Sequence, residues 1–210
     1  MRQVSRKLGA PQSSPRGDAS HSTRIAKEFV RKLVAAKPDS IVVTRDLVLN
    51  ALPHIDESFA TGISLPADQL SADQELAVKL SDQVVDEVMS ADTIVIGAGI
   101  INFGIPSTLK AWFDYLARSG RTFRYTEDGP VGLVRNKKVH LLVASGGTYS
   151  EGPDAALDHA VPYMTSVLSF MGMTDVQVTR IEGVAFGDEE ERRALSEARR
   201  RIGELATTFG

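Results

Sequence analysis

The chain has no cysteine, which excludes disulfides, thiolate metal sites and a cysteine nucleophile. Its four histidines, His21, His54, His140 and His159, stand at no metal-ligand or triad spacing, so metal chemistry is not expected. No apolar run is long enough to span a bilayer. A basic excess is missing too: the formal net charge is −3, unlike the clustered Lys and Arg of a nucleic-acid surface. There is no signal-peptide pattern. The first 17 residues carry Arg2, Arg6, Lys7 and Arg16 and no acid, but without an amphipathic stripe or a cleavage pattern, so the expected location is the cytoplasm.

What is present is an ordinary globular composition. The 210 residues are 42% hydrophobic and 24% charged, which suits one domain with a full core. Ile25, Phe29 and Leu33 recur at helical spacing, so residues 22–36 read as a helix that Pro38 ends. Ile41 to Thr44 is a β-branched strand. Residues 50–70 have polar and proline breaks without a period and read as a surface excursion with one helical turn. Ser71-Ala-Asp-Gln74 fits a capping box for a helix over 72–90, with Leu76, Leu80, Val84 and Val88 as its apolar stripe. A strand over 93–97, a helix over 106–117 and a strand over 139–144 follow. Residues 154–170 read as a helix interrupted near Pro162. A last strand over 176–181 and a charged helix over 189–209, acidic in its first turn, close the chain. Strands alternating with helices predict an α/β fold with a parallel sheet covered on both faces.

Such sheets bind ligands beyond the carboxyl ends of their strands. Three loops lie there: 13–22, 97–105 and 144–152. The first is rich in hydroxyls and precedes a helix, so it reads either as a phosphate cradle or as an ordinary capped turn. Asn102 and Phe103 either border a flat heterocycle or fill core. Gly146 and Gly147 either let the backbone approach the same ring or make a turn.

Several motifs occur together in a recognisable order: Ser13-Ser-Pro-Arg-Gly17, Ser20-His-Ser22, Asn102-Phe-Gly-Ile-Pro-Ser-Thr-Leu-Lys-Ala-Trp-Phe-Asp114, Phe123-Arg-Tyr-Thr-Glu-Asp-Gly-Pro130 and Ser145-Gly-Gly147. In this the chain resembles FMN-dependent NADH azoreductases, members of the flavodoxin-like NAD(P)H:quinone oxidoreductase superfamily. The resemblance implies a flavodoxin-like sheet of about five strands in the order 2-1-3-4-5. It implies a homodimer with one FMN per subunit, in a site completed by the other chain. It also implies ping-pong hydride transfer from NADH or NADPH through FMN to a quinone or azo compound, with no catalytic side chain needed. By matching motif, Ser14, Ser20, His21 and Ser22 would hold the FMN phosphate. Ile100, Ile101, Asn102 and Phe103 would border the isoalloxazine, and Ala144, Ser145, Gly146 and Gly147 its other edge. Phe123 and Tyr125 would wall the substrate cleft. The many apolar residues of 157–171, among them Tyr163, Val167 and Phe170, would be either an interface or a fully buried helix.

Two departures from the family pattern stand out. Gly99-Ile100-Ile101 replaces the usual Pro-Met-Tyr or similar run, which removes a ring and a hydroxyl near the flavin. In the order 2-1-3-4-5 the first strand is central and should be nearly all apolar. Residues 1–12 instead read Met-Arg-Gln-Val-Ser-Arg-Lys-Leu-Gly-Ala-Pro-Gln, an atypical segment in place of that strand, ahead of a flavodoxin-like FMN-binding domain over 13–210. The alternative function is therefore a non-catalytic flavodoxin-like module that binds a flavin or a partner, with impaired FMN binding.

Overall fold

The two most continuous apolar runs of the chain become strands buried on both faces, and the rest of the fold is arranged around them. They are β3 (Thr93–Gly99) and β6 (Lys138–Ala144), which pair in parallel along their whole length. The structure is a computed structural model that describes residues 6–209. Around the two strands, in chain order, lie β1 (Lys7–Gln12), α1 (His21–Ala36), β2 (Ile41–Asp46), α2 (Glu57–Gly62), α3 (Ala72–Ser90), α4 (Ser107–Leu116), a hairpin of β4 (Phe123–Thr126) and β5 (Gly129–Gly132), α5 (Ala160–Phe170), β7 (Asp175–Ile181) and α6 (Asp188–Thr207). The five-stranded sheet has the order β2-β1-β3-β6-β7 with every pairing parallel, which is the expected 2-1-3-4-5. One face is covered by α1 and α6 through Ile25, Phe29, Leu33, Leu195 and Ile202. The other is covered by α3, α4 and α5 through Val84, Val88, Trp112, Phe113, Met164 and Leu168. Among the described residues no helix is long and apolar enough to cross a membrane.

The first strand forms in spite of its sequence. Lys7–Gln12 lies between β2 and β3, so for these residues the expectation of a segment standing in place of the strand is corrected; residues 1–5 lie outside the described part. Two parallel neighbours offer the backbone a ladder that side-chain pattern does not veto, and only Leu8 and Ala10 need bury apolar side chains against α1. Lys7 stays exposed at the open end of the strand. Arg6 lays its guanidinium over the Phe209 ring, 4.9 Å from the centroid, and donates to the Phe209 carbonyl at 3.1 Å. The weakness shows in the ladder with β3, whose partners are Leu8, Gly9 and Gln12 but neither Ala10 nor Pro11.

Elsewhere the differences are local. The capping box on α3 is present, with Ser71 and Gln74 exchanging bonds, but Leu76 is 61% exposed and Ala77, Ser81 and Val85 join Val84 and Val88 on the buried face. The helix predicted over 154–170 breaks before Pro162, not at it. A short 3-10 turn spans Ala155–Leu157, and α5 begins at Ala160, so Pro162 sits in the first turn where its missing N–H is harmless. Most of the apolar surplus of 157–171 is absorbed within the chain: Val161, Met164, Leu168 and Met171 are buried, Tyr163, Val167 and Phe170 half-buried.

The β4–β5 hairpin is anchored through a backbone contact that allows no side chain. A Cβ on Gly132 would lie 2.2 Å from the Gly172 nitrogen, and Gly172 itself has φ +99°. Val134 N–H donates to the Met171 carbonyl beside this contact at 2.9 Å. Gly132→Ala is expected to lower stability by about 2 kcal/mol, because the hairpin must be pushed off α5. Urea denaturation tests it; a loss under about 0.5 kcal/mol would show that the hairpin adjusts freely.

Candidate functional site

Every sheet strand but β2 ends on one side of the molecule at a loop that borders a single cleft, lined by Ser14, Pro15, Arg16, Ser20, His21, Gly99, Ile100, Ile101, Ala144, Ser145, Gly146 and Val184. The three loops singled out by sequence therefore converge.

The first loop forms the polar end. Ser13 is pinned to β3, its N–H and hydroxyl both donating to the Gly97 carbonyl at 3.3 and 3.0 Å. Gly97 is required beneath it, since a Cβ there would meet Ala26 Cβ at 3.2 Å and the Ser22 carbonyl at 3.3 Å. This close approach seats the start of α1 on the sheet. Ser20 is the N-cap of α1, accepting from Thr23 N–H, and its hydroxyl shares a 3.0 Å hydrogen bond with that of Ser22. Ser22 is fully buried under Ser20 rather than lining the cleft. Arg24 lies 2.8 Å from Nδ1 of His21; a guanidinium only donates, so the ring proton sits on Nε2. Burial lowers the His21 pKa, with Glu191 opposing and Arg24 and Arg16 adding to the effect. The cleft end thus presents the Ser14 and Ser20 hydroxyls, the His21 ring, the Arg16 side chain and the positive end of a 16-residue helix. That donor set fits a phosphate.

The second loop holds a strained turn. Asn102 and Phe103 have φ of +48° and +69°, and Ile101 and Gly104 exchange two 3.0 Å backbone bonds across them. This is the signature of a type I′ turn. Asn adopts the left-handed region readily, whereas Phe pays about 1–3 kcal/mol of strain for it. The conformation is enforced by His159 N–H, which donates to the Phe103 carbonyl at 3.0 Å. Ile100 and Ile101 line the wall, whereas Asn102 and Phe103, exposed on the turn that follows, are not among the lining residues.

The third loop supplies the opposite wall with Ala144, Ser145 and Gly146. Ser145 donates to the Gly147 carbonyl at 2.8 Å, and the Tyr149 phenol lies where a Gly147 Cβ would be, 3.1 Å away. Gly147 is not among the lining residues. Sequence reasoning missed a fourth contributor: Val184, on the loop after β7. The available signal was the carboxyl end of the last strand at Ile181, next to Gly183. Pro15, Arg16 and Gly99 line the cleft too, each within two residues of a predicted site residue.

Phe123 and Tyr125 are not brought to this cleft. They sit on the β4–β5 hairpin, Phe123 against Phe170 at 4.6 Å between centroids and Tyr125 72% exposed. That hairpin is fastened near the end of α5, where the chain turns back to begin β7, whereas the cleft is at the other end of the sheet. Among the described residues no cluster of His, Asp and Glu is disposed to hold a metal ion.

The comparisons with known proteins agree with this geometry. The Flavodoxin_2 family, described as a flavodoxin-like fold, matches residues 12–206. A protein of Mesorhizobium japonicum described as an FMN-dependent NADH:quinone oxidoreductase is 55% identical over 190 residues, 90% of each chain. One of the same description from Rhizobium johnstonii is 52% identical over 194 residues, 92% of this chain and 95% of the other. Among solved structures, the azoreductase from Bacillus anthracis str. Sterne superposes with a TM-score of 0.90 at 31% identity, covering 96% of this chain and 98% of that one. The FMN-dependent NADH-azoreductase from Bacillus anthracis str. Ames Ancestor, in complex with FMN, superposes with a TM-score of 0.86 at 25% identity, covering 96% and 99%.

Proposed function

Because the chain belongs to the Flavodoxin_2 family, we propose that its cleft binds FMN and that the protein is an FMN-dependent NADH:quinone oxidoreductase that also cleaves azo compounds. The observation that carries this reading is the polarity of the one cleft on which the strand-end loops converge: hydroxyls and a helix start at one end, Ile100, Ile101, Ala144 and Val184 along its length. That is the outline of a phosphate joined to a flat ring.

Ser14 and Ser20 would hold the phosphate through their hydroxyls, and His21 would donate to it from Nε2. Ser22 holds Ser20 in place from below. Ile100, Ala144 and Val184 exclude water from the ring site, and Gly146 leaves backbone open to the ring edge. FMN, when bound, supplies the two-electron chemistry. The chain's own task is to seat the nicotinamide donor and then the quinone or azo acceptor in the same opening, which makes the exchange ping-pong. A protein fed by NADH works where NADH is kept, so we place it in the cytoplasm.

The exposed hairpin supports a homodimer in which Phe123 and Tyr125 reach the partner's cleft, since neither reaches its own. Sedimentation showing only monomer at micromolar concentration would refute the dimer. For the cofactor, Ser20→Ala is expected to raise the Kd for FMN about tenfold, roughly 1.4 kcal/mol, read by quenching of flavin fluorescence. A colourless wild-type protein that fails to take up added FMN, or that oxidises no NADH when a quinone is supplied, would refute the function.

A further inference from the structure

Three charged side chains, Arg180, Asp158 and Glu182, meet beside the loops that line the cleft. Arg180, near the end of β7, donates to Asp158 Oδ2 at 2.6 Å and to Glu182 Oε1 at 3.0 Å. Asp158 Oδ1 accepts the N–H groups of Ala160 and Val161 at 3.0 and 2.9 Å and so opens α5. Glu182 accepts Tyr149 N–H at 3.0 Å on Oε1 and the Ser150 hydroxyl on Oε2. The three side chains are 25%, 5% and 12% exposed for Arg180, Asp158 and Glu182. Every carboxylate oxygen has a donor.

We propose that Arg180 is a positioning residue for the acceptor substrate, a flat aromatic quinone or azo compound; this rests on the functional reading above. Through Glu182 it fixes Tyr149. Through Asp158 it fixes the residue next in line, His159, whose N–H holds the Phe103 carbonyl at 3.0 Å. Tyr149 and Phe103 meet edge to face, with ring centroids 6.0 Å apart at 88°. The ion triad thus braces the backbone of two aromatic residues, on the two loops that also supply Ile101 and Gly146 to the cleft lining. A nearly buried ion network contributes little net stability against an apolar replacement, so its contribution here is geometry. It holds the Phe103 turn in its strained conformation and sets the width of the apolar opening that admits the acceptor.

The test uses the full-length protein. In Arg180→Gln, amide hydrogen exchange at Tyr149 and His159 is expected to accelerate at least about tenfold without FMN, while exchange in β6 is unchanged. In the FMN-loaded enzyme, KM for a quinone is expected to rise about tenfold, with kcat and the FMN Kd within about twofold. Arg180→Lys, which keeps a charge but not the fork, is expected to recover part of the KM. Ser150→Ala removes one bond from an exposed position, so it folds even if Arg180→Gln does not; a KM rise of about threefold is expected. Unchanged exchange at Tyr149 and His159 overturns the bracing. Faster exchange with an unchanged KM overturns the role in acceptor positioning. If wild-type protein takes up no FMN, the functional reading fails while the exchange experiment still decides the bracing.

Discussion

Gly9→Val combined with Pro11→Val is expected to stabilise the protein by about 3 kcal/mol, which corresponds to roughly 9 °C in melting temperature for a domain of this size. The two residues face the α3 side of β1, over a small cavity also lined by Val43, Val88, Ala91 and Ile94. A Cβ on Gly9 would lie 3.6 Å from Ala91 Cβ and 3.9 Å from Ile94 Cγ1, ordinary contact distances, so the β-carbon of Val enters without displacing neighbours and its γ-methyl groups are left to the cavity. Burying its methyl groups and removing glycine's freedom in the unfolded chain contribute about 2 kcal/mol. At residue 11 the gain is a hydrogen bond. Ser13 N–H donates to the Gly97 carbonyl, and strand alternation places residue 11 opposite the Val95 carbonyl, where proline has no proton to give. Restoring that bond is expected to add about 1 kcal/mol after proline's effect on the unfolded chain is subtracted. Urea denaturation measures the sum. No gain would mean that β1 is already paired as well as its neighbours allow.

A second large effect concerns pH. His140 sits in β6, 6% exposed, edge to face with Phe29 at 4.8 Å, and its Nδ1 is buried without a partner. Burial pushes its pKa down to about 4, with Asp175 opposing and Lys138 and Arg201 adding to the shift. In the unfolded chain the ring takes a proton near pH 6.5, whereas in the folded protein it resists protonation until about pH 4. The unfolded state therefore binds more protons between these values, and stability falls as the pH drops through that window. The full loss is about 3 kcal/mol. Stability is expected to be complete above pH 6.5 and to decline toward pH 4. In His140→Leu this share of the decline is expected to vanish. Parallel pH dependences in wild type and variant would show that other groups carry the acid sensitivity.

Much of the fold was legible because helices and buried strands leave periodic traces. The α3 capping box, the apolar runs of β3 and β6 and the acidic start of α6 all appear where local chemistry placed them. The cleft was legible in outline, since serines before a helix and glycines after a strand mark where backbone meets a ligand. Two kinds of feature were not legible. Phe103 in the left-handed region contradicts its own preference and is held there by His159, 56 positions away in the chain. The Arg180 network joins residues on β7, on the loop before α5 and on the loop after β6, and no spacing announces it.

The sequence by itself determined the alternation of strands and helices, their order in a parallel sheet and the loops at their carboxyl ends, because those follow from periodicity and from handed, short connections. Only the tertiary structure decided that Lys7–Gln12 completes the sheet, that Phe123 and Tyr125 lie away from the cleft of their own chain, and that Arg180, Asp158 and Glu182 come together. Each of these depends on partners distant in the chain, and the free energy of such contacts is not written in any local stretch of residues.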